Sequence, residues 1–131
     1  MAIDPTLVGR EFPAPSPLIV TAERVRAFAA SVGQPDDGAV PPTFPIVLAF
    51  DAMQAFLDAE QVDLHRIVHG EQRFTYERPL RVGDELSATL TVTGLRQIGG
   101  ADIISTASEI RDAAGDLVCT GKATLVHGGA A

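Results

Sequence analysis

The length, composition and charge of the chain limit what kind of protein it can be. Its 131 residues, 46% of them apolar and 21% charged, suit one folded domain with its own hydrophobic core. The net charge of -7 argues against a nucleic-acid partner, because phosphate contacts need clustered lysine or arginine. No apolar run is long enough to cross a bilayer, so we expect no membrane partner.

Cysteine usage and the N-terminus bear on the compartment and on cofactors. The single cysteine, Cys119, cannot form an internal disulfide, and the sequence shows no zinc-ligand spacing around it. Residues 1–10 lack the basic and apolar regions of a secretory signal. We therefore expect a cytoplasmic protein with no metal and no cofactor.

The first elements in the chain are an extended segment and a short helix. Residues 11–17 contain three prolines, which favour an extended lead-in. Thr21 is a suitable N-cap for an amphipathic helix whose apolar positions repeat at helical spacing, and Gly33 ends it. Residues 34–42 then have the proline, aspartate and glycine content of a loop.

A second helix is predicted to begin near Thr43 or Phe44 and to continue through Leu57. It is apolar around most of its circumference, and only a narrow polar stripe interrupts it, formed by Asp51, Gln54 and Asp58. A helix of this kind must be buried on several sides.

The second half of the chain has the pattern of β-strands. Four β-prone runs, at residues 66–78, 86–93, 103–110 and 117–126, are separated by turn-like segments, and we predict a four-stranded antiparallel meander. An antiparallel sheet with one apolar face needs a cover, and the second helix has the apolar surface for it. We therefore predict an α+β fold in one domain over residues 1–131, with the antiparallel β-sheet wrapped around a long central helix.

Three segments of the sequence resemble the N-terminal domain of MaoC-like dehydratases, also called fatty-acid-synthase-type dehydratases. They are PPTFP at 41–45, VHGEQRF at 68–74 continuing to ERPLRVGDEL at 77–86, and DAAGDLV at 112–118. The similarity covers almost the whole chain. It implies a hot-dog fold and an acyl substrate carried on coenzyme A or acyl carrier protein.

The resemblance is greatest to the A-type chain of the heterodimeric (3R)-hydroxyacyl-carrier-protein dehydratase of fatty acid synthesis. It implies an (R)-specific enoyl-thioester hydratase or 3-hydroxyacyl-thioester dehydratase, a lyase, in which this kind of chain shapes the acyl tunnel. A partner chain then carries the catalytic pair. The assembly is expected to be a dimer, homomeric or heteromeric, formed by edge-to-edge pairing of two sheets.

One motif of the active hydratases is missing from the sequence. Their first helix is followed by Gly-Asp-x-Asn-Pro-x-His, whose Asp and His activate a water molecule. Here residues 33–40 read GQPDDGAV, and the chain has no asparagine. Asp36 stands at a loosely related position without its histidine, so we expect the chain alone to lack the standard chemistry.

The candidate site residues lie on the second helix and the first long strand. His69 and Glu71 share a strand parity and should share one face, while Gln72 has the opposite parity and should face the core. His65 and His127 lie near element ends and are expected to be exposed. Unpaired amides at 44–47 are a natural place to polarise a thioester carbonyl. We expect the substrate to contact Phe44, Ile46, Phe50, His69, Glu71 and Gln72.

Other interpretations stay open for several of these residues. Asp36, His69 and Asp51 are weak catalytic candidates, and Asp51 would be the acid of a hot-dog acyl-CoA thioesterase. A solvated or dimer-facing stripe is the preferred explanation of Asp51, and ordinary core is the preferred explanation of the helix phenylalanines. A basic patch for coenzyme A would draw on Arg73, Arg78, Arg81 and Lys122. A third possibility is a non-catalytic acyl-binding homodimer.

Overall fold

The computed structural model describes residues 5–35 and 39–128. Within these ranges two helices precede a set of antiparallel strands that pair in the order β1-β4-β5-β6-β3, with β2 also pairing with β4. The elements are β1 (Glu11–Pro13), β2 (Leu18–Ile19), α1 (Ala22–Ser31), α2 (Ile46–Ala59), β3 (Ile67–Tyr76), β4 (Glu85–Ile98), β5 (Ala101–Arg111) and β6 (Leu117–His127), with 3-10 turns at Pro5–Leu7 and Leu64–Arg66.

Helix α2 lies across the inner face of the sheet and contacts β1, β4 and β5. Its side chains Leu48, Ala52, Phe56 and Leu57 are fully buried, and the Phe56 ring packs against Phe12 of β1 with 5.0 Å between ring centroids. The predicted architecture, an antiparallel sheet wrapped around a central helix, is confirmed. In the part of the chain that the structure covers, no helix is long and apolar enough to span a membrane.

The predicted four-stranded meander is wrong in one respect. Strands β4, β5 and β6 follow one another as a meander, but β3 pairs with β6, from Ile67 opposite His127 to Tyr76 opposite Cys119. Strand β3 therefore ends the sheet, and residues 77–84 connect it to β4 on the other side. This connection is too long for a tight hairpin, and the strand pattern by itself does not specify which strands are neighbours.

Helix α1 begins and ends close to the prediction. The Thr21 hydroxyl accepts a hydrogen bond from the Arg24 amide at 3.1 Å, which satisfies one of the free donors at the helix N-terminus. The chain then turns at Gly33, whose positive φ of 73° suits a residue without a side chain. Helix α2 begins at Ile46, two or three residues later than predicted, because residues 42–45 form a turn instead.

Arg78 ties the connection between β3 and β4 to the turn between β5 and β6. Its guanidinium donates to both Asp84 carboxylate oxygens, at 2.9 and 3.2 Å, and to Asp112 at 3.4 Å. The hydrogen bond from Arg78 is the main cause that lowers the pKa of Asp84. The main cause that lowers the pKa of Asp112 is the hydrogen bond from the Asp116 backbone amide, and the hydrogen bond from Arg78 lowers it further.

The Arg78 network should make the fold resistant to acid. A carboxylate with a lowered folded-state pKa adds stability that is complete above its ordinary pKa of 3.8 and is lost as the pH falls through the folded-state value. Arg78→Gln should therefore shift the acid-unfolding midpoint, followed by circular dichroism, to higher pH. Arg26→Gln on the exposed side of α1 is the control. Equal midpoints for Arg78→Gln and the unmodified protein would contradict a stabilising role.

A buried hydrogen-bonded pair lies in the interior, between Asp102 of β5 and His127 of β6. His127 Nδ1 is 3.2 Å from one Asp102 oxygen, and Gln97 donates to the other oxygen at 3.0 Å. The side chains of His127 and Asp102 are only 6% and 4% exposed. The expectation that His127 is exposed is therefore wrong: β6 continues to His127, which is paired on both sides, with Asp102 and with Ile67.

Loss of the Asp102 carboxylate should destabilise the fold. Asp102→Ala leaves the His127 ring and the Gln97 amide without their acceptor, and each buried polar group left unsatisfied costs about 1–3 kcal/mol. Urea unfolding should show this loss. Asp116→Ala, an aspartate removed from an exposed turn position, should change the unfolding free energy little. Equal effects of the two substitutions would show that the buried pair contributes nothing specific.

Candidate functional site

A narrow, partly open crevice lies between α2 and the inner face of the sheet, and about 270 Å³ of space that atoms do not fill lies in it and in the solvent at its mouth. Its helix wall is apolar, whereas its sheet wall carries polar groups from β3 and β5. We call it the α2 crevice. Its lining residues are Ile46, Ala49, Phe50, Met53, His69, Gln72, Leu90, Thr106, Ser108, Gly121 and Ala123.

A β-bulge at Gly70 determines which residues of β3 face the α2 crevice. His69 lies opposite Leu125, but Glu71 lies opposite Thr124, so Gly70 is an extra residue in the strand. The bulge reverses the alternation of faces, because one added residue turns every later side chain over. The prediction that His69 and Glu71 share a face is therefore wrong. His69 shares the inner face with Gln72, whereas Glu71 is exposed and pairs with Arg73 at 3.1 Å.

His69 and Gln72 form a hydrogen-bonded pair at the sheet wall. His69 Nε2 lies 2.9 Å from Gln72 Oε1. An amide oxygen accepts and does not donate, so Nε2 carries the proton in this arrangement. The Nδ1 atom of a neutral His69 ring is then a hydrogen-bond acceptor. His69 is exposed and Gln72 is half-buried, which places the histidine nearer to solvent.

Gly121 of β6 makes room for this pair on the floor of the α2 crevice. A Cβ atom at position 121 would lie 3.0 Å from Phe74 Cε1 and 3.1 Å from Gln72 Nε2. Both distances are shorter than ordinary van der Waals contacts. A side chain at 121 would therefore push the Gln72 amide towards the space that the crevice leaves open.

A second, more open pocket of about 670 Å³ lies beside the loop that precedes α2. Its wall includes Val40, Pro42 and Tyr76, and the Tyr76 hydroxyl donates to the Pro42 carbonyl. Burial is the main cause that raises the pKa of Tyr76.

On the neighbouring strand, burial raises the Cys119 pKa to about 11, so this thiol is protonated at neutral pH and is a poor nucleophile.

The structure brings together four of the six predicted substrate contacts. Ile46, Phe50, His69 and Gln72 all line the α2 crevice. Phe44 does not, because its ring is buried against Phe28, with 5.5 Å between ring centroids. Glu71 is excluded by the bulge described above.

The three weak catalytic candidates are placed differently. His69 lines the α2 crevice, while Asp51 is exposed on another face of α2, in a shallow pocket beside Pro15 and Ser16. A thioesterase using Asp51 would therefore work outside the α2 crevice. Asp36 lies outside the described residues.

Two further sequence expectations about substrate binding are corrected. The amides of Phe44, Ile46 and Val47 already donate to carbonyls of the preceding turn at 2.9 to 3.1 Å, so they are not free to polarise a thioester. Of the four basic candidates, Arg73 and Arg78 are paired with carboxylates. Arg81 and Lys122 remain exposed.

Sequence reasoning missed the polar groups that β5 contributes to the α2 crevice. Thr106 and Ser108 are 3% and 4% exposed, and they share the inner-face parity with the fully buried Ile104 and Ile110. Side chains alternate between the two faces of β5, so counting every second residue from Ile104 would have placed both hydroxyls on the buried face.

The antiparallel sheet wrapped around α2 is a hot-dog fold, and comparison with known proteins gives its family. Residues 6–121 match the model of the FAS1-like dehydratase domain region, and the chain belongs to that family. Its relatives include UPF0336 proteins of Streptomyces avermitilis, 35% identical over 96% of this chain and 95% of that protein, and of Clavibacter michiganensis subsp. michiganensis, 41% identical over 96% of each.

Solved structures place the chain with the MaoC-like dehydratases. A chain of the HadBC (3R-hydroxyacyl-ACP dehydratase) complex from Mycobacterium tuberculosis superposes with a TM-score of 0.80 at 28% identity, over 92% of this chain and 96% of that one. A MaoC-like dehydratase gives 0.82 at 26% identity, over 95% of this chain and 43% of the other. The predicted hot-dog fold and the resemblance to MaoC-like dehydratases are confirmed.

Gly121→Ala tests the packing under the His69–Gln72 pair. The added methyl group must displace Phe74 or Gln72, so the unfolding free energy should fall by about 1–3 kcal/mol. The NMR resonances of the His69 ring should also shift as its hydrogen bond to Gln72 changes. Gly94→Ala is the matched control, because its Cβ would meet Ser105 at an ordinary 3.6 Å. An unperturbed His69 ring in Gly121→Ala would contradict the proposed packing role of Gly121.

Proposed function

We propose that the protein is a subunit of an (R)-specific enoyl-thioester hydratase or 3-hydroxyacyl-thioester dehydratase that acts on acyl groups carried by coenzyme A or acyl carrier protein. In this proposal the α2 crevice holds the acyl group and a partner chain supplies the Asp/His dyad. The observation that supports it is the mostly apolar crevice of this hot-dog fold. The sequence is also 28% identical, over 92% of the chain, to a chain of a hydroxyacyl-ACP dehydratase complex.

The chemistry of the reaction explains why a partner is needed. Adding water to an enoyl thioester requires a base that takes a proton from water and an acid that returns a proton to the carbon next to the thioester. The α2 crevice offers one histidine, His69, and no carboxylate among the lining residues given above. The GQPDDGAV segment contains no histidine either. A second chain with both groups would complete the site.

The edge of the sheet offers a place for that chain. In residues 5–35 and 39–128, β3 pairs with β6 and forms the end of the sheet, so its other side presents unpaired backbone donors and acceptors. Pairing with the edge of a second hot-dog sheet would satisfy them. Exposed His69 lies on this strand, so the partner would lie next to the α2 crevice.

The first test compares the protein alone with the protein in a complex. The purified chain should show essentially no hydration of crotonyl-coenzyme A, because it lacks the dyad. Coexpression with a hot-dog chain that carries Gly-Asp-x-Asn-Pro-x-His, encoded by a neighbouring gene, should give a stable complex that hydrates the same substrate. Robust turnover by the chain alone would show that it needs no partner dyad.

The second test asks whether the α2 crevice serves the reaction. Ile46→Trp would fill the crevice with a larger side chain, so the complex should still assemble but lose at least tenfold in kcat/KM for crotonyl-coenzyme A. Ala59→Trp places the same ring on an exposed position of the same helix and should leave kcat/KM unchanged. Equal activity of the two variants would mean that the acyl group binds elsewhere.

A further inference from the structure

The Gln72 amide is held in one orientation at the sheet wall of the α2 crevice. Its oxygen accepts a hydrogen bond from His69 Nε2 at 2.9 Å, so the nitrogen end of the amide remains for other contacts. That nitrogen carries two hydrogens. One of them makes a long hydrogen bond of 3.5 Å to the Arg73 carbonyl, which leaves the other for a group in the crevice. On β3 the crevice therefore presents a hydrogen-bond donor.

Small residues of β6 let this donor reach the middle of the crevice. Gln72 lies opposite Ala123, and Gly121 is the next residue of β6 on the same face. The Gln72 nitrogen lies 3.1 Å from the point that a Cβ atom of Gly121 would occupy, so the amide extends over a glycine. On its other side Gly121 lies opposite Ser108, whose side chain also lines the crevice. The Gln72 amide and the Ser108 side chain thus flank the same glycine.

The groups on both sides of this glycine suit an oxygen atom that accepts hydrogen bonds. An amide nitrogen only donates, and a hydroxyl can donate. Ser108 is 4% exposed, and among the described residues its hydroxyl is not bonded to another side chain. None of the residues that line the crevice is a carboxylate, so no negative charge on its wall repels such an oxygen. The enclosed part of the crevice has room for about one water-sized group, which fits a single ligand oxygen.

The thioester carbonyl is the substrate oxygen that only accepts in the proposed reaction. When water adds to an enoyl thioester, a bond forms between the water oxygen and the β-carbon, and the π bond between the α- and β-carbons breaks. The electron pair moves towards the α-carbon and the carbonyl oxygen, which carries negative charge until an acid returns a proton to the α-carbon. Donors that already point at this oxygen lower the barrier, because they stabilise the developing charge without having to reorient.

We propose that Gln72 is a catalytic residue whose amide nitrogen donates to the thioester carbonyl, with the Ser108 hydroxyl as a second donor to the same oxygen. His69 is the positioning residue, because its hydrogen bond to the Gln72 oxygen keeps the amide from turning over and presenting an acceptor. These donors take the role that the sequence suggested for the amides at 44–47, which already donate to the preceding turn. The partner's dyad moves both protons.

This inference rests on the proposed function and adds to it the group of this chain that stabilises the transition state. Kinetics of the complex with a partner chain test it. Gln72→Glu keeps the shape of the side chain but replaces the donor by an acceptor, so kcat for crotonyl-coenzyme A should fall about a hundredfold. Gln72→Leu, which adds no charge, should show a similar loss. Gln34→Glu makes the same chemical change at an exposed position after α1 and should leave kcat unchanged.

Infrared spectra of bound butyryl-coenzyme A, labelled with a heavy carbon isotope at the carbonyl, test the contact itself. This thioester lacks the double bond and therefore does not react. A hydrogen bond weakens the carbonyl bond, so its stretching band should lie at lower wavenumber in the unmodified complex than in the Gln72→Leu complex. His69→Leu should move the band towards the position seen with Gln72→Leu, because the Gln72 amide loses its fixed orientation. A residue that only supported the fold would not shift this band.

The outcomes separate this inference from the proposed function. An active complex whose kcat is unchanged by both Gln72 substitutions, or whose carbonyl band does not move, would overturn the inference and leave the proposed function in place. If Gln72→Leu fails to assemble with the partner, the nearly isosteric Gln72→Glu decides the question. An unmodified complex that neither binds butyryl-coenzyme A nor hydrates crotonyl-coenzyme A would remove both.

Discussion

The burial of α2 is the constraint on which the rest of this structure depends. A helix with Leu48, Ala52, Phe56 and Leu57 fully buried has no stable position on a protein surface, and burial of each large apolar side chain is worth about 1.5–3 kcal/mol. The sheet can cover such a helix only if its long strands present one continuous apolar face. Strands β4, β5 and β6 provide most of this face through Leu90, Ile104 and Leu125, and on β5 the hydroxyls of Thr106 and Ser108 interrupt it.

The α2 crevice arises where this coverage is incomplete. Towards the β3 edge the inner face changes from large aliphatic side chains to small or polar ones, with Gly121 and Ala123 on β6 and Ser108 on β5. Phe50 of α2, which is 41% exposed, lies above this part of the sheet. The helix is thus packed tightly over β4 and loosely towards β3. In the proposed function, the acyl group binds on the loosely packed side.

The β-bulge at Gly70 links the edge of the sheet to the crevice. By inserting one residue it turns His69 and Gln72 to the same side, where their side chains hydrogen-bond, and leaves Glu71 and Arg73 on the outer face. Bulges also twist a strand locally, and they are common at sheet edges and near active sites. One glycine therefore decides which polar groups a ligand in the crevice would meet.

Much of the fold follows from the sequence alone. The apolar circumference of α2, the N-cap at Thr21 and the alternation from Leu86 to Val92 determine the elements and their buried faces, because these patterns are local. Tertiary structure alone decided that β3 pairs with β6, that Gly70 is a bulge and that His127 is buried beside Asp102. Each of these depends on contacts between residues distant in the chain, and no local periodicity encodes which strands meet or where a register shifts.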